Sequence, residues 1–230
     1  MLEFELFWNK FYIQGGYLNF LTGLKNTALI AVFGLVIGFF IGAVLAVVNI
    51  IPNKKIPTRI LQGISRIYIT VFRGTPMVVQ LLLMHFALFP MLGIDIDSVF
   101  EAVIIFGMNS GAYMAEIIRS GINAVDKGQM EAGRCVGLSF SGTMVRIVLP
   151  QAIKNILPTI GNEFISLIKE TSVVSFIAVM DLTKSLKAIG DSTYEYFVPY
   201  IMLALTYLVL VVVFTWLLNM LEKRLKRDER

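Results

Sequence analysis

Two stretches of this chain contain no charged residue at all, Asn26 to Asn53 and Tyr196 to Leu221. Each is longer than the roughly 20 apolar residues that cross the hydrocarbon core of a bilayer. A barrel strand would alternate apolar and polar residues over about 10 positions, and neither stretch alternates. The rest of the composition agrees. Charged residues make up 16% of the chain and hydrophobic residues 57%, against about 25% charged in soluble domains. The expected fold is therefore all-α: a polytopic membrane protein, not a soluble domain.

The breaks between apolar runs give five spans. The first runs from about Thr27 to Ile51 and is ended by Pro52. The second runs from Leu61 to Leu92, interrupted by Arg73-Gly74-Thr75-Pro76 and closed by Pro90. The third covers Ser98 to Ile118. The fourth covers Ile153 to Ile168, extending in pieces to Met180. The fifth covers Phe197 to Leu221. Basic residues collect in alternate loops, as the positive-inside rule requires of cytoplasmic segments. Lys54, Lys55, Arg59 and Arg66 follow the first span, and Arg119, Lys127, Arg134 and Arg146 follow the third. Lys223, Arg224, Lys226, Arg227 and Arg230 end the chain. The loop after the second span carries Asp95 and Asp97 and no basic residue. This pattern predicts an outer N-terminus and a cytoplasmic C-terminus in a bacterial plasma membrane. The net charge of +4 then faces anionic lipid, and no nucleic-acid partner is expected.

Three units follow from this order: an N-terminal segment 1–26, a five-helix membrane domain 27–222, and a basic tail 223–230. Phe4, Phe7, Trp8 and Phe11 recur at helical spacing, predicting a short amphipathic helix in the outer interface. The stretch MLEFELFWNK places no basic segment ahead of an apolar core, so the first span is read as its own insertion signal. The one cysteine, Cys135, excludes an intrachain disulfide and is read as a small side chain in a packed loop. With one histidine besides, no His/Cys metal site is expected. His85, alone in an apolar run, is read as a packed side chain.

Spans one and five are almost wholly apolar and are expected to face lipid. Spans three and four carry polar side chains on single helix faces. Asn109, Tyr113 and Glu116 share one face, and Glu163, Ser166 and Glu170 share another, with Asn162 beside it. A charge at the bilayer centre costs roughly 2.5–3.5 kcal/mol, so these faces should line a protein interior or a wet cavity. Glu116, near Arg119, is read as a charge at the cytoplasmic end. The break at Arg73–Pro76 reads as a helix that restarts with Thr75 as N-cap and Pro76 in the first turn. Such a start presents N–H groups that hold anionic substrate groups in transporters.

The segment Arg119 to Pro150 is too long for a turn. Gln129–Val136 is expected to form a short helix ended by Gly137. Ser139 or Ser141 would cap a second helix, closed by Pro150. This helix-turn-helix has no role inside a membrane and points to a soluble partner. Its spacing resembles the EAA signature of ABC importer permeases. Glu131, Ala132 and Gly133 stand where that pattern has E-A-A. Gly137 follows after three residues, and Ile147, Leu149 and Pro150 after nine more. Gly133 replaces the third alanine. VFRGTPMVVQL (Val71 to Leu81) and AYMAEIIRSGI (Ala112 to Ile122) resemble the polar amino acid subfamily of these permeases.

The resemblance implies a function. Such permeases pair as homodimers or heterodimers, and a homodimer is expected here. Two ATPase subunits, which bind ATP and Mg, dock on the EAA loop and drive alternating access, and an extracytoplasmic binding protein delivers the amino acid. The chain contains no Gly-Lys dipeptide and hence no phosphate-binding loop of the Walker type, so ATP hydrolysis belongs to another chain and no cofactor or catalytic residue is expected in this one. Thr75, Pro76, Asn109, Tyr113, Asn162, Glu163, Ser166 and Glu170 are the candidate substrate-binding residues. Glu163 favours cationic amino acids such as arginine, lysine or histidine. The alternatives are an importer of glutamine or glutamate whose specificity lies in the binding protein, or an ion channel subunit with a pore between spans three and four. A membrane-embedded enzyme finds no convergent nucleophile or metal set.

Overall fold

A computed structural model of the chain describes residues 2–51 and 56–227. Pro52, Lys54 and Lys55, expected to end span one and begin the next loop, lie outside the described residues, as does Arg230. Among the described residues there are helices and no strand. Helix α1 (Leu2–Trp8) runs into a π-helical turn (Asn9–Ile13), and the chain reverses at Gly15, whose φ of 78° only glycine adopts without strain. Helix α2 (Gly16–Ile50) starts well before the expected Thr27. At about 1.5 Å per residue it is longer than a bilayer core is thick.

Helices α3 (Ile56–Gly74) and α4 (Met77–Leu83) meet at a bend of 107°. A π-helical turn (Met84–Leu88) and the short α5 (Phe89–Met91) complete this second region, and the chain turns at Gly93. Helix α6 (Ser98–Asn123) begins at Asp97, whose carboxylate accepts the Val99 N–H, and ends five residues past the expected Ile118. Then come α7 (Lys127–Cys135), α8 (Phe140–Thr143), a π-helical turn (Met144–Val148) and α9 (Leu149–Glu170). A 3₁₀ turn (Thr171–Ile177) leads to α10 (Leu182–Thr193), capped by Asp181, and α11 (Phe197–Arg227) closes the chain. The helix continues through Arg227, into the basic stretch.

By length and composition α2 and the Phe197–Arg224 part of α11 are able to cross a membrane, and α3 with α4 and α5 meets the same measure only when the bent pair is counted as one span. Helices α6 and α9 are long enough but carry the polar faces, and do not meet that measure.

The core forms where α2 lies against α6. Gly34, Gly38 and Gly42 of α2 lie against Phe106, Ser110 and Met114 of α6. Reciprocally, Gly107 and Gly111 of α6 receive Ile37 and Ile41 of α2. In lipid, helices are not driven together by the hydrophobic effect, and small residues at every fourth position let backbones approach closely enough for dispersion to hold them. The expectation that span one faces lipid therefore fails on one side: its glycine face is buried. Its apolar composition hid this, because glycine adds little to either polarity or bulk. Helix α11 does present most of its surface outward; Val198 and Pro199 at its start and Leu218, packed on Gly161 of α9, are buried. Phe7 of α1 is buried with Leu186, Ile189 and Val198, so the N-terminal helix rests on α10 and α11 while Phe4 and Trp8 stay exposed.

The glycine register gives a direct test. A methyl group at Gly42 would sit 2.3 Å from the Met114 Cβ and 2.8 Å from the Ala115 nitrogen, whereas one at Gly63 meets nothing within 4 Å. Gly42→Ala should destabilise the detergent-solubilised protein by about 1–3 kcal/mol, the usual cost of overpacking. Gly63→Ala should be neutral or stabilising by up to ~1 kcal/mol through helix propensity. Thermal unfolding of the two purified variants measures both.

Candidate substrate pathway and coupling loop

The helix break is built differently from the expected cap. Pro76, extended at ψ 140°, is itself the N-cap of α4, with no side-chain cap bond, and the helix starts at Met77. Thr75 is not a cap: its hydroxyl donates back to the Val71 carbonyl at 2.8 Å. The residue that organises the break is Gln80, which is buried. Its Nε2 donates to the carbonyl of Phe72 (2.8 Å), the carbonyl of Thr75 (3.0 Å) and the hydroxyl of Thr75 (2.8 Å). Its Oε1 accepts from Nδ2 of Asn109 at 2.9 Å, and the same Asn109 nitrogen lies 3.4 Å from the Phe72 carbonyl. A helix end leaves its last carbonyls without partners, and inside a membrane no water is at hand to satisfy them. Gln80 and Asn109 do so. The signal for Gln80 was in the sequence: a lone amide in the apolar run Met77–Leu83, one turn past a break.

Asn109 is therefore buried and already engaged. The next residue, Ser110, carries the link to α9, its hydroxyl donating to Oε1 of Glu163 at 3.2 Å. One turn further along α6, Tyr113 lies under the Arg73 guanidinium, 5.3 Å from ring centroid to Cζ. One turn beyond that, Glu116 holds Arg119 through two contacts, at 2.6 and 3.1 Å, and meets Arg73 at 3.6 Å. Ser110, Tyr113 and Glu116 so mark out a polar seam between α3, α6 and α9. Glu163 lies within electrostatic reach of both Glu170 and Arg73, and all three lie within reach of Tyr113. Ser166 is half-buried and Asn162 exposed, and neither makes a side-chain hydrogen bond among the described residues. His85 is not simply packed: its Nδ1 pairs with Oε2 of the buried Glu101. Among the described residues no three His, Cys, Asp or Glu side chains converge as a metal site requires. The seam has the makings of a binding site for a dipolar molecule, with a guanidinium and carboxylates on one groove.

The coupling loop forms two short helices, with shifted ends. Helix α7 starts at Lys127, not Gln129, because the Asp126 carboxylate caps it by accepting the Gly128 N–H at 2.7 Å. It ends at Gly137, φ 87°, in a Schellman motif: Leu138 N–H bonds the Gly133 carbonyl and Gly137 N–H the Arg134 carbonyl, both at 3.1 Å. Ser139, not Ser141, caps α8, accepting the Gly142 N–H at 3.1 Å. Pro150 does not close the second helix. It lies in the first turn of α9, where a missing N–H breaks no bond, so α8 runs through the π turn into α9 without a stop. Glu131 and Ala132 are exposed on α7, and Cys135 is exposed too, not packed. Gly133 faces inward, where a methyl group would meet the Thr143 Cγ2 at 2.4 Å. Ile147 and Leu149 are half-buried beneath the hairpin.

Comparison with known proteins accords with this architecture. Residues 34–227 match the family of binding-protein-dependent transport system inner membrane components. The arginine transport system permease protein ArtQ of Bacillus subtilis is 41% identical over 209 residues, covering 91% of this chain and 93% of that one. A putative glutamine transport system permease protein GlnP of Rickettsia bellii is 41% identical over 202 residues, 88% of each chain. The L-cystine transport system permease protein TcyL of Bacillus subtilis is 38% identical over 212 residues, covering 90% of this chain and 87% of that one. Among solved structures, that of an amino acid ABC transporter with histidines superposes with a TM-score of 0.84 at 39% identity, covering 92% of this chain and 96% of that one. Helices able to cross a membrane and this degree of likeness lead to one conclusion: the chain belongs to the binding-protein-dependent transport system inner membrane component family, as a multi-pass ABC permease subunit, a kind of subunit that is not itself an enzyme.

Proposed function

We propose that this permease carries a cationic amino acid across the membrane by alternating access. The observation that carries this reading is Glu163. It is half-buried at the seam, hydrogen-bonded by Ser110, and has no ion-pair partner among the described residues. A carboxylate left in a membrane interior without a cation is strongly disfavoured, and a cationic substrate supplies what is missing. The relative named for arginine supports this choice. The relatives named for glutamine and cystine support a second reading, in which the seam is permissive and a binding protein sets specificity. Glu170 and Tyr113 flank the same seam, and Thr75, Pro76, Asn162 and Ser166 contribute hydrogen bonds or shape as the pathway opens.

The assembly reading follows from the same family. With α2, the bent α3–α5 pair, α6, α9 and α11 as five spans, the N-terminus would lie outside and the basic loops and C-terminus in the cytoplasm, a reading the loop charges support. A second copy of the chain pairs with this one, two ATPase subunits carrying ATP and Mg dock on α7 and α8, and a binding protein delivers the substrate from outside. The exposed Glu131 and Ala132 and the buried Gly133 support the docking role: one side of α7 faces outward while the other locks onto α8 and the π turn.

Three outcomes check these statements. Glu163→Gln should lower the preference for cationic over neutral amino acids at least tenfold, about 1.4 kcal/mol, in equilibrium binding to the reconstituted complex; an unchanged preference sinks the cationic reading and leaves the permissive one. Gly137→Val places a β-branched residue at φ 87°, a strain of order 1–3 kcal/mol. It should uncouple ATP hydrolysis from uptake in proteoliposomes, and normal uptake per ATP would count against the docking role. Cys135, the one cysteine, is exposed on α7. A membrane-impermeant maleimide should label it in inverted vesicles and not in right-side-out ones; the reverse pattern overturns the orientation.

A further inference from the structure

The geometry points to Arg73 as the residue that binds the substrate's α-carboxylate, exchanging its loose contact with Glu116 for the incoming anion. This rests on the amino acid pathway proposed above and adds the group that takes the other end of the molecule. At the break between α3 and α4 the Met77 and Val78 N–H groups are the donors left for an anion. The Thr75 hydroxyl is spent on Val71 and Gln80, and the Val79 and Gln80 N–H groups both bond the Pro76 carbonyl, at 3.0 and 3.2 Å. Arg73, at the last turn of α3, has the spare capacity. Its side chain is 42% exposed, and its one ion-pair contact is a single nitrogen 3.6 Å from Glu116. That carboxylate is already held by Nε and Nη2 of Arg119, at 3.1 and 2.6 Å, so its charge is balanced without Arg73. A guanidinium offers five donors in a planar fork suited to a carboxylate. Most of that fork is uncommitted.

The position is fixed as well as available. The guanidinium lies over the Tyr113 ring, an arrangement that orients it at little entropic cost. The backbone beside it is pinned, because the Phe72 carbonyl accepts from both Gln80 and Asn109. On the facing helix, Ser110 and Tyr113 are three residues apart and so about 4.5 Å apart along the axis. Ser110 marks Glu163 and Tyr113 marks Arg73. An anion-binding fork and a cation-binding carboxylate thus flank one short length of α6, matching an amino acid with its carboxylate at one end and a cationic side chain at the other. When the seat is empty, Glu116 gives Arg73 a weak counter-charge. When substrate arrives the contact breaks, and α3 is released from the cytoplasmic end of α6.

The test compares ligands with and without the carboxylate. The permease and its ATPase are reconstituted in nanodiscs without binding protein, and labelled arginine is bound in competition with agmatine, which is arginine lacking that group. Arg73→Gln should weaken arginine at least tenfold and leave agmatine unchanged. Glu116→Gln, which removes the competing carboxylate, should tighten arginine and leave agmatine unchanged, a gain that a damaged fold does not produce. If both variants alter arginine and agmatine alike, or alter neither, Arg73 is only a strut between α3 and α6 and the assignment is overturned. The pair glutamine and 4-aminobutanamide gives the same readout for a neutral substrate, so the carboxylate seat is judged independently of Glu163. Loss of cationic preference in Glu163→Gln together with an unmoved arginine-to-agmatine ratio in Arg73→Gln rejects the seat and keeps the pathway.

Discussion

The approach of α2 to α6 governs the rest of the molecule. Five glycines on the two helices interleave with Phe106, Ser110, Met114, Ile37 and Ile41, and the contact leaves no room for a methyl group at Gly42. Two helices this close turn their remaining faces to fixed directions. The face of α6 carrying Asn109, Tyr113 and Glu116 is thereby set toward α3, and Ser110 toward α9, and the polar seam exists because α6 has no freedom to roll. Association of this kind depends on shape, since lipid offers helices no hydrophobic reason to pair. A register error of one residue along α2 would put Phe33, Ile37 and Ile41, or Leu35, Phe39 and Ala43, in the places of Gly34, Gly38 and Gly42.

Around that frame, the polar groups divide into those that are satisfied and those that are not. Gln80 and Asn109 close off the carbonyls freed by the bend of α3 into α4, which lets a span change direction by 107° with those backbone groups paired. His85 and Glu101 join the π-helical turn Met84–Leu88 to the start of α6. Glu163 and Arg73 stand apart, one held by a single hydroxyl and the other by one long contact. In a membrane interior polar groups left so lightly held are costly, and their presence along one seam is the strongest local argument that something else completes them.

Much of this was legible in the sequence. The charge-free runs fixed α2 and α11, because length and apolarity decide membrane insertion almost alone. Helical spacing put Tyr113 and Glu116 on one face and Glu163 on another. The glycine at 137 ended α7 as its φ demands. What was not legible depended on contacts between distant segments. Thr75 looked like a cap because threonine caps well in isolation, yet a glutamine five residues on, supported by Asn109 from another helix, offered its backbone and hydroxyl better partners. The burial of α2 was hidden because Gly34, Gly38 and Gly42 look featureless until the facing Phe106, Ser110 and Met114 are known. Pro150 looked like a stop because proline ends helices as readily as it begins them, and only the π turn before it shows which.

That last point has a mechanical meaning. From Leu149 to Glu163 the chain is one helical rod of about 21 Å, and its lower end is continuous with the hairpin that carries Glu131 and Ala132. Pro158 interrupts the rod's hydrogen bonds partway along, where proline removes a backbone donor. In the proposed coupling that makes the rod a jointed lever: a displacement at the hairpin would be divided between bending at Pro158 and tilting of the arm beyond it. Leu218 packed on Gly161 lies just above the joint and serves as its bearing. In the coupling proposed above, how far Ser110 and Glu163 part for a given displacement of the hairpin depends on the stiffness at Pro158.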